Sequence, residues 1–164
     1  MLFPRLTSKL LKLSRKNSIR ISTAESCTGG QLAQELTSLA GSSKMFECGF
    51  ITYSNYSKTA ILGVLPETIN TFGAVSENVA EEMVLGILEK SKARLCISIT
   101  GIAGPSSSEF KPIGRVCFSV KYYDTKPFSE TLEFGPIGRE KIRLHATQHA
   151  IKMLINVIEE TQTL

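Results

Sequence analysis

Ser18-Ile19-Arg20-Ile21-Ser22-Thr23-Ala24, then Glu25-Ser26-Cys27-Thr28-Gly29-Gly30, then Gln31–Leu39: this stretch decides the fold class of the 164-residue chain. Ile19, Ile21 and Thr23 alternate with a period of two, the spacing of a strand. Leu32, Leu36 and Leu39 recur at helical spacing, and the paired glycines between the two patterns mark a turn. Strand, Gly-rich turn and helix in that order open an α/β protein, in which helices carry the chain between parallel strands.

The flanking patterns extend this reading. Upstream, Leu6, Leu10 and Leu13 fall at i, i+4, i+7 behind Pro4, which suits a first helical turn. Downstream, Met45–Ser54 reads as a second strand and Asn55–Leu62 as a short helix with Asn55 as its cap. Ser76 is placed to cap a helix whose Val79, Ala80, Met83, Val84, Ile87 and Leu88 form one apolar face. Arg94–Thr100 reads as an apolar, central strand, and a polar loop over Ser106–Lys111 follows it. Two further strands are expected over Ile113–Tyr123 and Ser129–Phe134, joined as a hairpin. Ile142, Ala146, Ala150, Met153 and Val157 then mark a long final helix. The expected architecture is a three-layer α/β/α sandwich on a mixed, five-stranded sheet, one domain over residues 1–164.

Composition narrows the function classes. A hydrophobic share of 42% with 21% charged residues is a globular balance, which excludes disordered and collagen-like chains. No apolar run approaches the roughly 18 residues of a membrane span. The net charge of +4 is concentrated in residues 1–20, which hold six basic residues and no acidic one. The remaining body has 13 basic and 15 acidic residues, a poor host for nucleic-acid phosphates. The basic start also fits a transit peptide. A first helix is favoured because strand-like residues follow directly, with no linker where a cleaved segment would end.

Cys27, Cys48, Cys96 and Cys117 form no CxxC pair, and the expectation is reduced thiols in a cytoplasmic protein. His145 and His149 are four apart, but no cysteine or carboxylate motif completes a metal site. The P-loop is absent, and Gly29-Gly30 is not a GxGxxG fingerprint, so neither metal nor cofactor is expected. With Asp124 the single aspartate, paired-aspartate catalysis lacks material.

What remains is Ser26 at a strand-to-helix turn. There, free N–H groups and the helix dipole stabilise negative charge, as acyl transfer requires. The plain alternative is that Ser26 or Thr28 caps the helix. Lys58 is the natural activator of a nucleophilic Ser26, since a lysine acts as a base when burial or a nearby cation lowers its pKa. Tyr53, five residues before Lys58, can reach the same cleft and relay a proton or orient the amine. Cys27 is a rival nucleophile without a nearby histidine to activate it. Thr100 and Gly101 close the most apolar strand, at the end where α/β sheets bind ligands; a tight turn needing glycine explains them equally well.

These segments together resemble the CinA C-terminal family. The resemblance is carried by Ser22–Gly30, Gly41-Ser42-Ser43, Thr52-Tyr53-Ser54-Asn55, Lys58, Gly73-Ala74-Val75-Ser76, Thr100–Pro105 and Lys111-Pro112-Ile113-Gly114. It spans essentially the whole chain in order, and the Glu-Ser-Cys-Thr-Gly-Gly run of residues 25–30 is highly specific. The family includes nicotinamide-nucleotide amidases, which hydrolyse nicotinamide mononucleotide to nicotinate mononucleotide and ammonia. The resemblance therefore implies the stand-alone amidase form, without cofactor, in the cytoplasm, self-associating with a dimer as first choice. Ser26, Tyr53 and Lys58 match the family's catalytic serine, tyrosine and lysine. Cys27, Thr28, Gly29, Gly30, Asn55, Thr100, Gly101 and Arg139 are the substrate-binding candidates.

Three positions depart from the family pattern. Ser106-Ser107-Ser108 stand where glycines usually follow, Cys48-Gly49 replaces Gly-Gly, and Ile137-Gly138-Arg139 replaces Gly-Asp-Arg. The serine loop is the one feature favouring a different class, a pyridine-nucleotide-binding or sensing module with impaired catalysis.

Overall fold

The strand Ile21–Glu25 (β1) lies between two parallel neighbours, Phe46–Ile51 (β2) and Leu95–Gly101 (β3). Arg115–Tyr122 (β4) and Phe128–Glu133 (β5) add an antiparallel hairpin, giving one sheet of order β2-β1-β3-β4-β5. The computed structural model describes residues 1–107 and 110–161; Ser108, the last residue of the expected serine loop, lies outside them. Among the described residues six α-helices and a 3-10 turn at Ser42–Lys44 complete the fold: α1 (Pro4–Lys16), α2 (Gln31–Leu36), α3 (Asn55–Leu62), α4 (Pro66–Phe72), α5 (Glu77–Lys90) and α6 (Arg139–Glu160).

All five β1 residues are buried, because the strand is flanked on both edges and covered on both faces. On one face Ile21, Ile97, Ile99 and Phe118 meet Leu10 of α1, Leu32 and Leu36 of α2, and Ala146 and Leu154 of α6. On the other, Ala24 and Cys96 meet Leu62 of α3, Ile69 of α4, and Val79, Met83 and Val84 of α5. The α/β/α sandwich on a mixed five-stranded sheet is thus observed. In register, Glu25 stands between Ile51 and Ile99, so β1, β2 and β3 all end at one edge of the sheet.

Several local expectations change. The helix α4 carries no amphipathic signal, since Ile69 is its one buried residue. Pro66 starts it, and Glu82 of α5 holds it by accepting from Leu65 N–H and the Thr68 hydroxyl. The cap of α3 is Ser54, not Asn55: Ser54 and Ser57 exchange side-chain and backbone hydrogen bonds in a capping box. The helix α2 stops at Leu36 rather than running to Leu39.

No side chain of its own start caps α1. Glu35 of α2 does so instead, accepting from Leu2 N–H at 2.6 Å, Phe3 N–H at 2.9 Å and the Thr7 hydroxyl at 2.7 Å. Desolvation pushes the Glu35 carboxyl up, but these hydrogen bonds outweigh it and hold the group below its ordinary 4.5. A folded-state pKa below the unfolded one gives stability that is present above about pH 4.5 and lost as pH falls through the folded value. The melting temperature should therefore drop below pH 4.5, and less steeply in Glu35→Gln. That variant should also melt about 5 °C lower at pH 7, because its amide opposes donors that need an acceptor. Thermal unfolding of both proteins from pH 3 to 7 checks this.

Candidate active site

The carboxylate of Glu25, 1% exposed, points back under the turn that follows it. It accepts from the N–H groups of Gly30 at 3.0 Å, Leu32 at 3.1 Å and Ala33 at 2.8 Å, and so caps α2. Neither Ser26 nor Thr28 does this. For the chain to double back, Thr28–Gln31 forms a turn with positive φ at both central residues, +60° at Gly29 and +92° at Gly30. This is the I′ geometry that glycine adopts at least cost, closed by Gln31 N–H to Thr28 O at 3.2 Å.

Ser26 faces the opposite way from Glu25, toward α3. Its N–H donates to Ile99 O and its carbonyl accepts from Gly29 N–H, both at 3.0 Å. These bonds, with the Glu25 caps, revise where an oxyanion can be held. The N–H groups of Ser26, Gly29 and Gly30 are occupied. Within the turn, those of Cys27 and Thr28 donate to no other described residue, the Cys27 N–H meeting its own Sγ.

Lys58, on the second turn of α3, is 1% exposed. Its Nζ donates to Ser26 Oγ at 3.0 Å and to Thr52 O at 2.9 Å. Serine and amine thus meet inside a cavity of about 310 Å³ at the carboxyl ends of the parallel strands. Cys27, Tyr53, Asn55, Thr100, Gly101 and Arg139 line the same cavity; Thr28, Gly29 and Gly30 do not. Those three build the turn rather than the wall, with the Thr28 side chain fully buried.

Arg139, the first residue of α6, spans the cleft mouth. It donates to Gly104 O and to the Tyr53 hydroxyl, both at 2.9 Å, and Tyr53 is otherwise 60% exposed. Thr100 has its hydroxyl committed to Ala74 O at 2.8 Å, tying β3 to the wall before α5. At Gly101 a Cβ would stand 2.8 Å from Val116 and 2.9 Å from Cys27 Sγ, so glycine lets the strand end pass between them. Ser106, of the serine loop, lines the cavity too, and so do Ala74 and Val75, which the sequence marks only as part of the resemblance carried by Gly73–Ser76. Among the described lining residues the charged side chains are Lys58 and Arg139, both basic, which suits an anionic ligand.

The family model for the CinA C-terminal domain matches residues 4–158. The chain belongs to this family. It is 41% identical over 155 residues to the nicotinamide-nucleotide amidohydrolase PncC of Escherichia coli, covering 90% of this chain and 93% of that protein. A CinA-like protein of Leptospira biflexa is 48% identical over 135 residues, 82% of this chain but 32% of the relative. The chain spans 25–37% of the length of these longer curated relatives. The crystal structure of competence/damage inducible protein CihA from Agrobacterium tumefaciens matches with a TM-score of 0.91 at 40% identity, over 95% of each chain.

In this CinA domain the thiol next to Ser26 is inert by environment. Desolvation pushes Cys27 up to about 12 against a partial pull from Lys58, and burial likewise raises Cys96 to about 12 and raises Cys117. All four cysteines are unpaired, and Cys48 alone is not fully buried. Titration of the native protein with an aromatic disulfide at pH 8 should therefore find no more than one fast thiol, Cys48, and all four in denaturant. Fast reaction of Cys27 in the folded protein would contradict this burial.

Proposed function

We propose that this chain is a nicotinamide-nucleotide amidohydrolase acting through a serine acyl-enzyme, with residues 1–164 as its single domain. The observation that carries the reading is the buried Lys58 amine 3.0 Å from Ser26 Oγ in a cleft that Arg139 also lines. The name of the E. coli relative supports a nicotinamide nucleotide as substrate, and following the family resemblance we take it to be nicotinamide mononucleotide.

In the proposed reaction Lys58 works as a neutral amine. It takes the Ser26 proton as Oγ attacks the carboxamide carbon, forming the C–O bond and placing the electron pair on the carbonyl oxygen. The N–H group of Cys27, the neighbour of Ser26 that lines the cavity, receives that oxyanion. Collapse breaks the C–N bond, and the proton held on Lys58 leaves with the nitrogen as ammonia. Water then attacks the acyl-enzyme, with Lys58 again accepting a proton and returning it to Ser26 Oγ as the acid departs. The acid then ionises to the carboxylate by giving its proton to the released ammonia or to solvent.

Thr52 O orients the amine in this scheme, and Tyr53 acts at the mouth with Arg139 rather than as the amine's sole guide. Arg139 and Asn55 are placed to hold the anionic and hydroxyl-bearing remainder of the nucleotide. Thr100 and Gly101 shape the wall. Following the family, we further propose that the enzyme needs no cofactor and works as a cytoplasmic dimer.

Ammonia release from nicotinamide mononucleotide, measured with chelator present, tests the reading. The parent should turn over, and Ser26→Ala and Lys58→Met should each lose about 10⁴-fold in kcat while still binding the nucleotide. Turnover retained by Ser26→Ala would remove the serine from the mechanism. Binding without ammonia release by the parent would favour the non-catalytic nucleotide-binding module.

A further inference from the structure

Arg143, one turn after Arg139 on α6, does not line the cleft, yet it reaches the turn that carries Ser26. Its Nη2 donates to Thr28 O at 2.8 Å, shorter than the 3.2 Å bond by which Gln31 N–H closes the glycine turn on the same oxygen. One further turn along α6, Thr147 donates to Gln31 Oε1 at 3.0 Å. The helix thus grips the Gly29-Gly30 turn on both sides.

The peptide unit is what makes this contact matter. Thr28 C=O and Gly29 N–H belong to one rigid plane. Arg143 holds the oxygen side of that plane, and the N–H side donates to Ser26 O at 3.0 Å. A cationic donor on the carbonyl also polarises the peptide and strengthens its N–H as a donor. From α6 to the backbone of Ser26 there is a single planar group.

Stability alone does not call for this residue. The Arg143 Nε is buried with no acceptor among the described residues, and the Thr28 hydroxyl beside the same carbonyl is in the same state. Arg143 is half-buried, and an N–H kept from water with no acceptor is costly, a cost that a less polar side chain would avoid.

We infer that Arg143 is a positioning residue, which sets the Thr28–Gly29 peptide and through it the attack geometry of Ser26. This rests on the reading of Ser26 as nucleophile and adds a residue to it.

The experiment compares kcat and KM for ammonia release from nicotinamide mononucleotide in the parent, Arg143→Ala and Arg143→Lys, with thermal unfolding of each. Arg143→Ala should lower kcat by about 100-fold, the scale of a 1 Å misplacement, with KM changed by less than about twofold. Guanidinium chloride, far below denaturing concentrations, should restore part of that kcat and leave the parent unchanged. Arg143→Lys, with one donor in place of a fork, should fall between the two, and it carries the test should the alanine variant not fold.

Unchanged kcat in either folded variant overturns the inference. So does a rise in KM alone, which would make Arg143 a substrate contact. A kcat loss that neither guanidinium nor lysine relieves, together with a lowered melting temperature, overturns it in favour of a structural role. Failure of the underlying reading looks different: the parent releases no ammonia, or Ser26→Ala still does.

Discussion

A carboxylate almost without water organises this end of the sheet. Glu25, the last residue of β1, is 1% exposed, and an ion in that position is tolerable only if its oxygens are taken up by hydrogen bonds. Three N–H groups at the start of α2 do this, and the positive end of the helix dipole adds to them. For those donors to reach back to the strand they follow, the chain must reverse within four residues, hence two successive glycines at positive φ. Since successive strand side chains point to opposite faces, burying Glu25 under α2 sends Ser26 to the other face.

That arrangement changes where negative charge can be held. A serine before a helix suggests that the helix N-terminus is the anion site, but here the Glu25 carboxylate already occupies it. Of the groups left over in the short arc between serine and glycines, the N–H of Cys27 is the one whose residue lines the cavity. The other half of the pair arrives from α3. Its capping box fixes the first turn, and Lys58 on the next extends beneath Thr52 to the serine. With β1 and β2 ending in register, helix and turn meet over the same strand ends.

Legibility in the sequence followed how local each constraint was. Helices with broad apolar faces, such as α5, were readable, and so was Ser76 as the α5 cap. The helix α4 was not, because one buried isoleucine in seven residues gives no period and its anchor, Glu82, lies on another helix. Ser26, Lys58 and Tyr53 could be named from residue type and motif, and the structure brings all three to one cavity. The work of Glu25 and Arg143 could not, since each acts on backbone atoms distant in sequence or across a reversal. Gly29 and Gly30 look like ligand contacts in a motif, yet their positive φ shows a structural cause.

The departures from the family pattern fall where a side chain has room or where the backbone admits none. In Cys48-Gly49, a Cβ at Gly49 would stand 2.9 Å from Thr23 Oγ1 and 3.3 Å from Ala33 Cβ, so this glycine is needed for α2 to cross the strand. Residue 48 faces the other side, where its thiol rests 3.4 Å from Ser22 Oγ, and a larger residue fits. At the start of α6, Gly138 occupies the N-cap at φ +98°, a conformation that an aspartate would adopt only under strain. Glycine at an N-cap costs only a few tenths of a kcal/mol relative to aspartate, and Glu140 keeps acidic charge in the first turn. What that end of α6 has to deliver is Arg139 at the cleft and Arg143 at the turn, one helical turn apart, and both stay in place. Ser106 is different in kind: among the described residues at these departures it alone lines the cavity, so it is the one placed to alter ligand fit.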